Sequence, residues 1–119
     1  MRRRVAITGV GCVTPLGSGS DSYLEGLRAG TSGIRRITLF DPEGLPVRIA
    51  GEARGFDPAD HIPAKDARHV ARVVPMAIAA AGQALSSAGI DAERLSLEER
   101  RRIAVLLGSG GGPVEFFEK

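Results

Sequence analysis

The sequence contains few of the residues on which many binding and catalytic sites depend. Among its 119 residues there is no tryptophan, one tyrosine, four phenylalanines and a single cysteine, Cys12. One cysteine excludes an internal disulfide framework and any cysteine-based metal-ligand spacing. We therefore expect a reducing, cytoplasmic location. Because aromatic residues are scarce, the core must consist of valine, isoleucine, leucine and alanine.

Long apolar runs and a large excess of one charge are also missing. No stretch approaches the ~20 apolar residues of a membrane-spanning helix, and the apolar run after Arg2–Arg4 is too short for a signal peptide. Basic and acidic residues number 16 and 14, a net charge of +2. Arg2–Arg4 and Arg100–Arg102 each precede a predicted strand and lack interleaved aromatics, so we interpret them as solvated strand entrances. No membrane or nucleic-acid partner is expected.

What the sequence does contain is one pattern that occurs twice, a short apolar run followed by a glycine-rich loop. Val5–Ile7 precedes the loop Gly9–Gly17, and Ile103–Leu107 precedes Gly108–Gly112. The pattern predicts two strands of a parallel sheet, the second buried on both faces, with loops at the edge where sites are usually assembled. Such a loop is compatible with a nucleotide cradle, an acyl pocket or a tight turn.

Helix and turn signals fill the rest of the chain. Ser20 is the predicted N-cap of a first helix that stops at Gly30. The proline-rich residues 42–64 predict a long ordered connector with one short strand near Val47–Ala53. Connectors of this length are often functional or interfacial, and a plain surface wrap is the alternative.

The longest helical pattern runs from Asp66 to Ala88, and Pro75 interrupts it. A short helix followed by a main helix with Pro75 near its start resolves this conflict. The alanine-rich face of the main helix permits close packing on a neighbour, and Gly89 ends it. Ser96 and Glu99 have the spacing of a capping box, and residues 113–119 predict the opening of another helix.

Two parallel strands cannot form a covered sheet by themselves, so the pattern favours the N-terminal portion of a larger α/β protein. Dinucleotide binding is the minor alternative. Its fingerprint needs a glycine at position 14, where Thr14 and Pro15 stand instead. The loop Gly108–Gly112 lacks the adjacent lysine and serine or threonine of a phosphate loop. We expect no cofactor and no metal ion.

Cys12, His61 and His69 are the candidate nucleophile and bases, and nothing in the sequence brings them together. Reactive cysteines are commonly activated by a helix N-terminus or an adjacent histidine. Cys12 instead lies among apolar residues ahead of Pro15. We interpret it as a buried structural thiol, and we assign no catalytic residue in this chain.

Taken in order, these segments resemble one known family. The stretch RRVAITGVGCVTPLG at residues 3–17, AGTSGI at 29–34, FDP at 56–58, the alanine-rich helix and GSGGG at 108–112 are similar to the β-ketoacyl-[acyl-carrier-protein] synthases. The resemblance implies an incomplete N-terminal part of a thiolase-like α-β-α-β-α layered fold, with residues 1–119 forming part of the N-terminal domain. Ala71 and Pro75 depart from the family's common pattern at the start of the long helix.

The resemblance also implies an activity and partners. Family members hold an acyl group on a cysteine and condense it with malonyl-acyl-carrier protein, and that cysteine and its two histidines lie downstream of every position present here. Acyl-carrier protein, malonyl-carrier protein and a second copy in a homodimer are the implied partners. Gly111 corresponds to a residue that lines the acyl pocket. The alternative is a non-catalytic truncated product or a subunit that pairs with a complete synthase.

Overall fold

The computed structural model describes residues 3–110, and in them short helices and strands alternate along the chain. Two antiparallel strand pairs and four α-helices are joined by turns and a 3₁₀ turn at Pro58–Asp60. The strands are β1 (Val13–Thr14), β2 (Gly17–Ser18), β3 (Ile34–Arg36) and β4 (Ile49–Gly51). The helices are α1 (Ser20–Arg28), α2 (Ala64–Ala67), α3 (Val73–Ser87) and α4 (Leu97–Arg101).

The prediction of two parallel strands is wrong for the described part of the chain. Neither Val5–Ile7 nor Ile103–Leu107 forms a strand, and both pairings, β1 with β2 and β3 with β4, are antiparallel. Val5 is 94% exposed and Leu106 is 90% exposed. An apolar run becomes a buried strand only when neighbouring strands accept its hydrogen bonds and cover its faces. Residues 3–110 provide no such neighbours for either run.

A tight hairpin stands where the dinucleotide fingerprint would need a helix start. Val13 pairs with Ser18, and Thr14 pairs with Gly17, across a turn at Pro15 and Leu16. The Thr14 hydroxyl donates to the Gly17 carbonyl at 2.9 Å and accepts from the Leu16 N–H at 3.1 Å. This hairpin removes the phosphate-binding geometry on which the minor alternative depends.

The close packing expected of the alanine-rich helix is confirmed, and its neighbour is the first glycine segment. A Cβ built on Gly9 would overlap the Ala84 carbonyl and lie 2.8 Å from the Ala88 nitrogen. A Cβ on Gly11 would overlap the Ala80 carbonyl and lie 2.8 Å from the Ala84 nitrogen. Glycine is therefore required at both positions because backbone packs directly on backbone.

Helix boundaries agree well with the local sequence signals. The predicted division of the long helical pattern is confirmed as α2 and α3, with Pro75 in the first turn of α3 and fully buried. Gly30 and Gly89 follow α1 and α3 with φ of 64° and 69°, the left-handed conformation of a helix stop. Ser96 and Glu99 form the predicted capping box of α4.

One cap differs from the prediction. Ser20 is the first residue of α1, and Gly19, with φ of 98°, is the N-cap. The Gly19 N–H donates to the Cys12 carbonyl at 2.9 Å, so the hairpin ends directly in the helix. The residue at the cap must adopt the positive φ of this junction, which serine rarely does.

The described core is small and lies between the connector and α3. Ala53, Phe56 and Ala79 are buried together, with Val13 and Met76 packed against them. Elsewhere most large apolar side chains remain partly exposed. Within residues 3–110, no helix combines the length and apolar character needed to cross a bilayer.

The packing of Gly11 on α3 can be tested by adding one methyl group. We expect Gly11→Ala to lower the free energy of unfolding by about 3 kcal/mol or more, because the rigid backbone of α3 cannot yield to the added Cβ. Gly82→Ala is the matched control. It lies on α3 with open space where the added methyl group would stand, and it should stabilise by about 0.5–1 kcal/mol through helix propensity. Urea unfolding of the two variants measures both changes in the free energy of unfolding. Equal changes in the two variants would contradict the packing of Gly11 on α3.

Candidate functional site

Both glycine-rich segments lie against α3, on nearly the same side of that helix. The first approaches Ala80, Ala84 and Ala88. The second, Val105–Ser109, faces Val73, Ala77 and Ala81 across an open groove. The positions of the two sets are seven residues apart, so at 100° per residue they differ by only about 20° around the helix axis. The helix therefore gives the two loops, which are nearly 100 residues apart in sequence, a common support.

Gln83 fixes the first loop to α3 with two hydrogen bonds. Its side-chain Oε1 accepts from the Cys12 N–H at 2.9 Å, and its Nε2 donates to the Ser18 hydroxyl at 2.8 Å. One amide thus ties both ends of the β1–β2 hairpin to the helix. The signal for this role in the sequence is weak, a single polar residue on the alanine-rich face of α3.

The structure places Cys12 in a structural position rather than a catalytic one. Its N–H is bound by Gln83 and its carbonyl by Gly19, and its side chain is half-buried rather than fully buried as predicted. His61 stacks on Phe56, with ring centroids 5.1 Å apart. His69 contacts the Asp66 carbonyl through its backbone. The described contacts bring neither histidine to Cys12, and activation of the thiol by a neighbouring base has no support here.

An apolar groove borders the second glycine loop. Its walls are one face of α3 and the segment 105–109, and its volume is about 410 Å³. The helix contributes Val73, Val74, Ala77, Ile78 and Ala81. Gly108 and Ser109 also line the groove, and Gly111, the predicted pocket-lining residue, lies outside the described residues. A groove of this composition suits hydrocarbon or apolar side chains.

A second, larger groove is polar and lies beside the start of α1. Its volume is about 950 Å³, and its lining includes Ser20, Ser22, Asp60, His61 and Gln83. Within residues 3–110, no three histidine, cysteine, aspartate or glutamate side chains converge as a metal site requires. The polar groove therefore presents hydroxyls and one imidazole without a metal cluster.

The connector predicted over residues 42–64 is ordered by two charged side chains that sequence reasoning missed. Arg72 donates to the carbonyls of Ala53 and Phe56 at 3.2 and 3.1 Å, and its guanidinium lies 5.4 Å from the Phe56 ring centroid. Glu52 accepts hydrogen bonds from the backbone of Thr38 and Leu39. The sequence signal for Glu52 was its position, since it is a charged residue inside the apolar run Ile49–Ala53.

The two bonds of Gln83 predict a graded response to substitution. Gln83→Met keeps the size of the side chain but leaves the Cys12 N–H and the Ser18 hydroxyl without their partner, so we expect unfolding to be easier by roughly 1–2 kcal/mol. Gln83→Glu retains an acceptor for each, because the Ser18 hydroxyl can turn to donate. It should stay within about 0.5 kcal/mol of the parent. Chemical unfolding distinguishes the two variants. A similar loss of unfolding free energy in both would contradict the hydrogen bonds assigned to Gln83.

Comparison with known proteins places these features in a family context. The family model of the β-ketoacyl synthase N-terminal domain matches residues 2–118. The chain is 38% identical over 115 residues to the tetracenomycin polyketide synthase ketoacyl synthase beta subunit of Streptomyces glaucescens, covering 97% of this chain and 27% of that protein. It is 36% identical over 118 residues to the chloroplastic 3-oxoacyl-[acyl-carrier-protein] synthase I of Arabidopsis thaliana, covering 99% and 25%.

Further matches agree in sequence and in fold. The 3-oxoacyl-[acyl-carrier-protein] synthase 2 of Staphylococcus aureus strain COL is 39% identical over 116 residues, covering 98% of this chain and 27% of that protein. The solved ishigamide ketosynthase/chain length factor superposes with a TM-score of 0.69 and 40% identity over 81% of this chain and 24% of its own. The predicted α/β, thiolase-like fold class is thereby confirmed. The chain spans about a quarter of the length of these relatives.

Proposed function

Because this chain belongs to the β-ketoacyl synthase family, we propose that its protein is a 3-oxoacyl-[acyl-carrier-protein] synthase of fatty acid or related polyketide synthesis. The reaction transfers an acyl group from its carrier-protein thioester to a cysteine thiol, and the carrier-protein thiol leaves. The malonyl thioester then loses CO₂, its C2 carbon attacks the acyl carbonyl, and the cysteine thiol leaves as the 3-oxoacyl product forms. The observation that carries the proposal is identity of 36–39% to synthases of this name over almost the whole chain.

The chain's part in this reaction is structural. We assign residues 1–119 to the N-terminal part of the synthase domain, with the nucleophilic cysteine and its histidines in the rest of the enzyme. Two features support this division. Cys12 has no neighbouring base among its described contacts, and the exposed apolar runs Val5–Ile7 and Val105–Leu107 have the composition of strands that need partners. Alone, the chain should have no condensing activity.

The proposal includes partners and location. We propose that acyl-carrier protein delivers both substrates and that the intact enzyme forms a homodimer; the names of the relatives identify acyl-carrier protein as the carrier of the 3-oxoacyl group in those proteins. A cytoplasmic location agrees with the single cysteine. No nucleic acid, membrane or cofactor has a role in the proposed reaction.

A condensation assay tests the activity directly. The intact protein, incubated with an acyl thioester and malonyl-acyl-carrier protein, should release CO₂ and form a 3-oxoacyl-carrier protein that mass spectrometry detects. Residues 1–119 alone, at the same concentration, should form none. An intact, folded protein that forms no product with acyl chains of any length would contradict the proposed activity.

A non-catalytic subunit that pairs with a complete synthase is the second candidate, and the names of two similar proteins are compatible with such a pairing. The relative from Streptomyces glaucescens is named as a ketoacyl synthase beta subunit, and the solved neighbour is a ketosynthase/chain length factor. In this case the intact protein is inactive alone and co-purifies with a complete synthase in a defined ratio. Co-expression with such a synthase, followed by size-exclusion chromatography, separates the two candidates.

Gly111 is proposed to leave the acyl pocket unobstructed. Gly108 and Ser109, which precede it, line an apolar groove, so this part of the loop borders apolar space. Gly111→Ile in the intact protein should shift the product profile to shorter acyl chains, because the added side chain fills part of the pocket. Product chain length is read by mass spectrometry, with Gly82→Ala, on α3 outside the groove lining and with open space for the added methyl group, as the control. An unchanged chain-length profile would contradict the role proposed for Gly111.

A further inference from the structure

Glu52 is the charged side chain that the described part of the chain buries, and the proposed condensation does not use it. The residue directly follows β4, and its side chain is 6% exposed. An ionised carboxylate leaves water only where hydrogen bonds and opposite charge replace its hydration. The partners of this carboxylate therefore show what it holds in place.

The donors to Glu52 come mainly from two consecutive residues on the other side of the strand pair. The Thr38 N–H reaches Oε1 and Oε2 at 2.8 and 3.1 Å, and the Thr38 hydroxyl donates to Oε2 at 2.8 Å. The Leu39 N–H donates to Oε1 at 2.9 Å. The Arg54 guanidinium lies 3.4 Å from Oε2 and also donates to the Arg36 carbonyl at 2.6 Å. Both oxygens of the carboxylate thus face donors from this segment, and Arg54 adds a further contact to one of them.

Few other contacts of the described residues hold the Thr38–Asp41 segment in its conformation, and one of them is local, since the Glu43 N–H donates to Asp41 at 3.1 Å. On one side, the Ile37 N–H donates to the Arg48 carbonyl at 3.0 Å and ends the strand pairing. On the other side, Pro42 is buried. Between these two points, Leu39 and Phe40 are 61% and 58% exposed, so their burial contributes little. Among the described residues, Glu52 is the acceptor for both the Thr38 and the Leu39 amides.

We propose that Glu52 is a latch that fixes the Thr38–Asp41 segment, and that neutralising this carboxylate releases the segment while the β3–β4 pair and α3 stay folded. The strand pair has its own register of three residue pairs from Ile34–Gly51 to Arg36–Ile49. The core around Phe56 is held separately, by Arg72 and by contact with α3. The latch is thus independent of both neighbouring units.

The electrostatics agree with a latch that is closed at neutral pH. The backbone hydrogen bonds from Thr38 and Leu39 lower the pKa of Glu52 from 4.5 to about 2, with smaller contributions from the Thr38 hydroxyl and Arg54. Arg54 is the charged group that faces the carboxylate. Because the folded-state pKa is depressed, the stabilisation is complete above about pH 4.5 and is lost as the pH falls toward about 2.

Amide hydrogen exchange in the intact protein tests the latch. Glu52→Gln keeps the shape of the side chain but removes its charge and places an NH₂ donor against other donors. The Thr38 and Leu39 amides should then exchange roughly ten-fold faster or more, with exchange in β4 and α3 unchanged. Glu43→Gln is the matched control, since the Glu43 carboxylate pairs with Arg36 and Arg48 at the surface. Its contact with this segment is through the backbone N–H, which donates to Asp41 at 3.1 Å and is retained in the variant. Thr38→Val, which removes one bond, should have a smaller effect.

Two results would overturn the latch. The first is unchanged exchange at Thr38 and Leu39 in Glu52→Gln, and the second is an equal acceleration in β4 and α3. If Glu52→Gln does not fold, amide exchange in the parent protein at decreasing pH tests the latch instead. As the pH falls from about 5 to about 2, the protection factors of Thr38 and Leu39 should decrease before those of Ile37 and α3; a simultaneous loss contradicts the proposal.

Discussion

The close approach of Gly9 and Gly11 to the backbone of α3 is the contact on which the described structure depends. No side chain separates the two pieces of chain at these positions. The approach sets the position of Cys12, whose N–H then meets Gln83, and of the β1–β2 hairpin that follows. The hairpin leads directly into α1 through Gly19. Two glycines and an alanine face thus determine where the first quarter of the chain lies.

Charged side chains supply the order that a small core cannot. With few aromatic residues, the buried apolar cluster consists of Ala53, Phe56 and Ala79 with two partly buried neighbours. Glu52 and Arg72 fix the connector between β3 and α3. The side chain of each forms hydrogen bonds with backbone groups. Charge-assisted bonds to backbone are strong and directional, so they can define a loop that buries little apolar surface.

Sequence reasoning succeeded where the signal is local and failed where it depends on distant partners. Gly89, Pro75 and the pair Ser96 and Glu99 act within one or two helical turns, and the helices they delimit were predicted closely. The runs Val5–Ile7 and Ile103–Leu107 have the composition of buried strands but form none in residues 3–110, because strand pairing requires neighbours that composition cannot supply. Glu52 and Gln83 were missed for the same reason, since their partners lie 13–14 and 65–71 positions away.

The two glycine loops, which on sequence alone are compatible with a nucleotide cradle, an acyl pocket or a turn, now have a common setting on one helix of a β-ketoacyl synthase fold. We infer that this setting supports chemistry performed elsewhere in the protein. Peptide mass spectrometry of the intact protein after incubation with an acyl-carrier-protein thioester tests this most directly. We expect a thioester adduct on a cysteine other than Cys12, with the Cys12 peptide unmodified. An acyl adduct on Cys12 would contradict a purely structural role for this part of the chain.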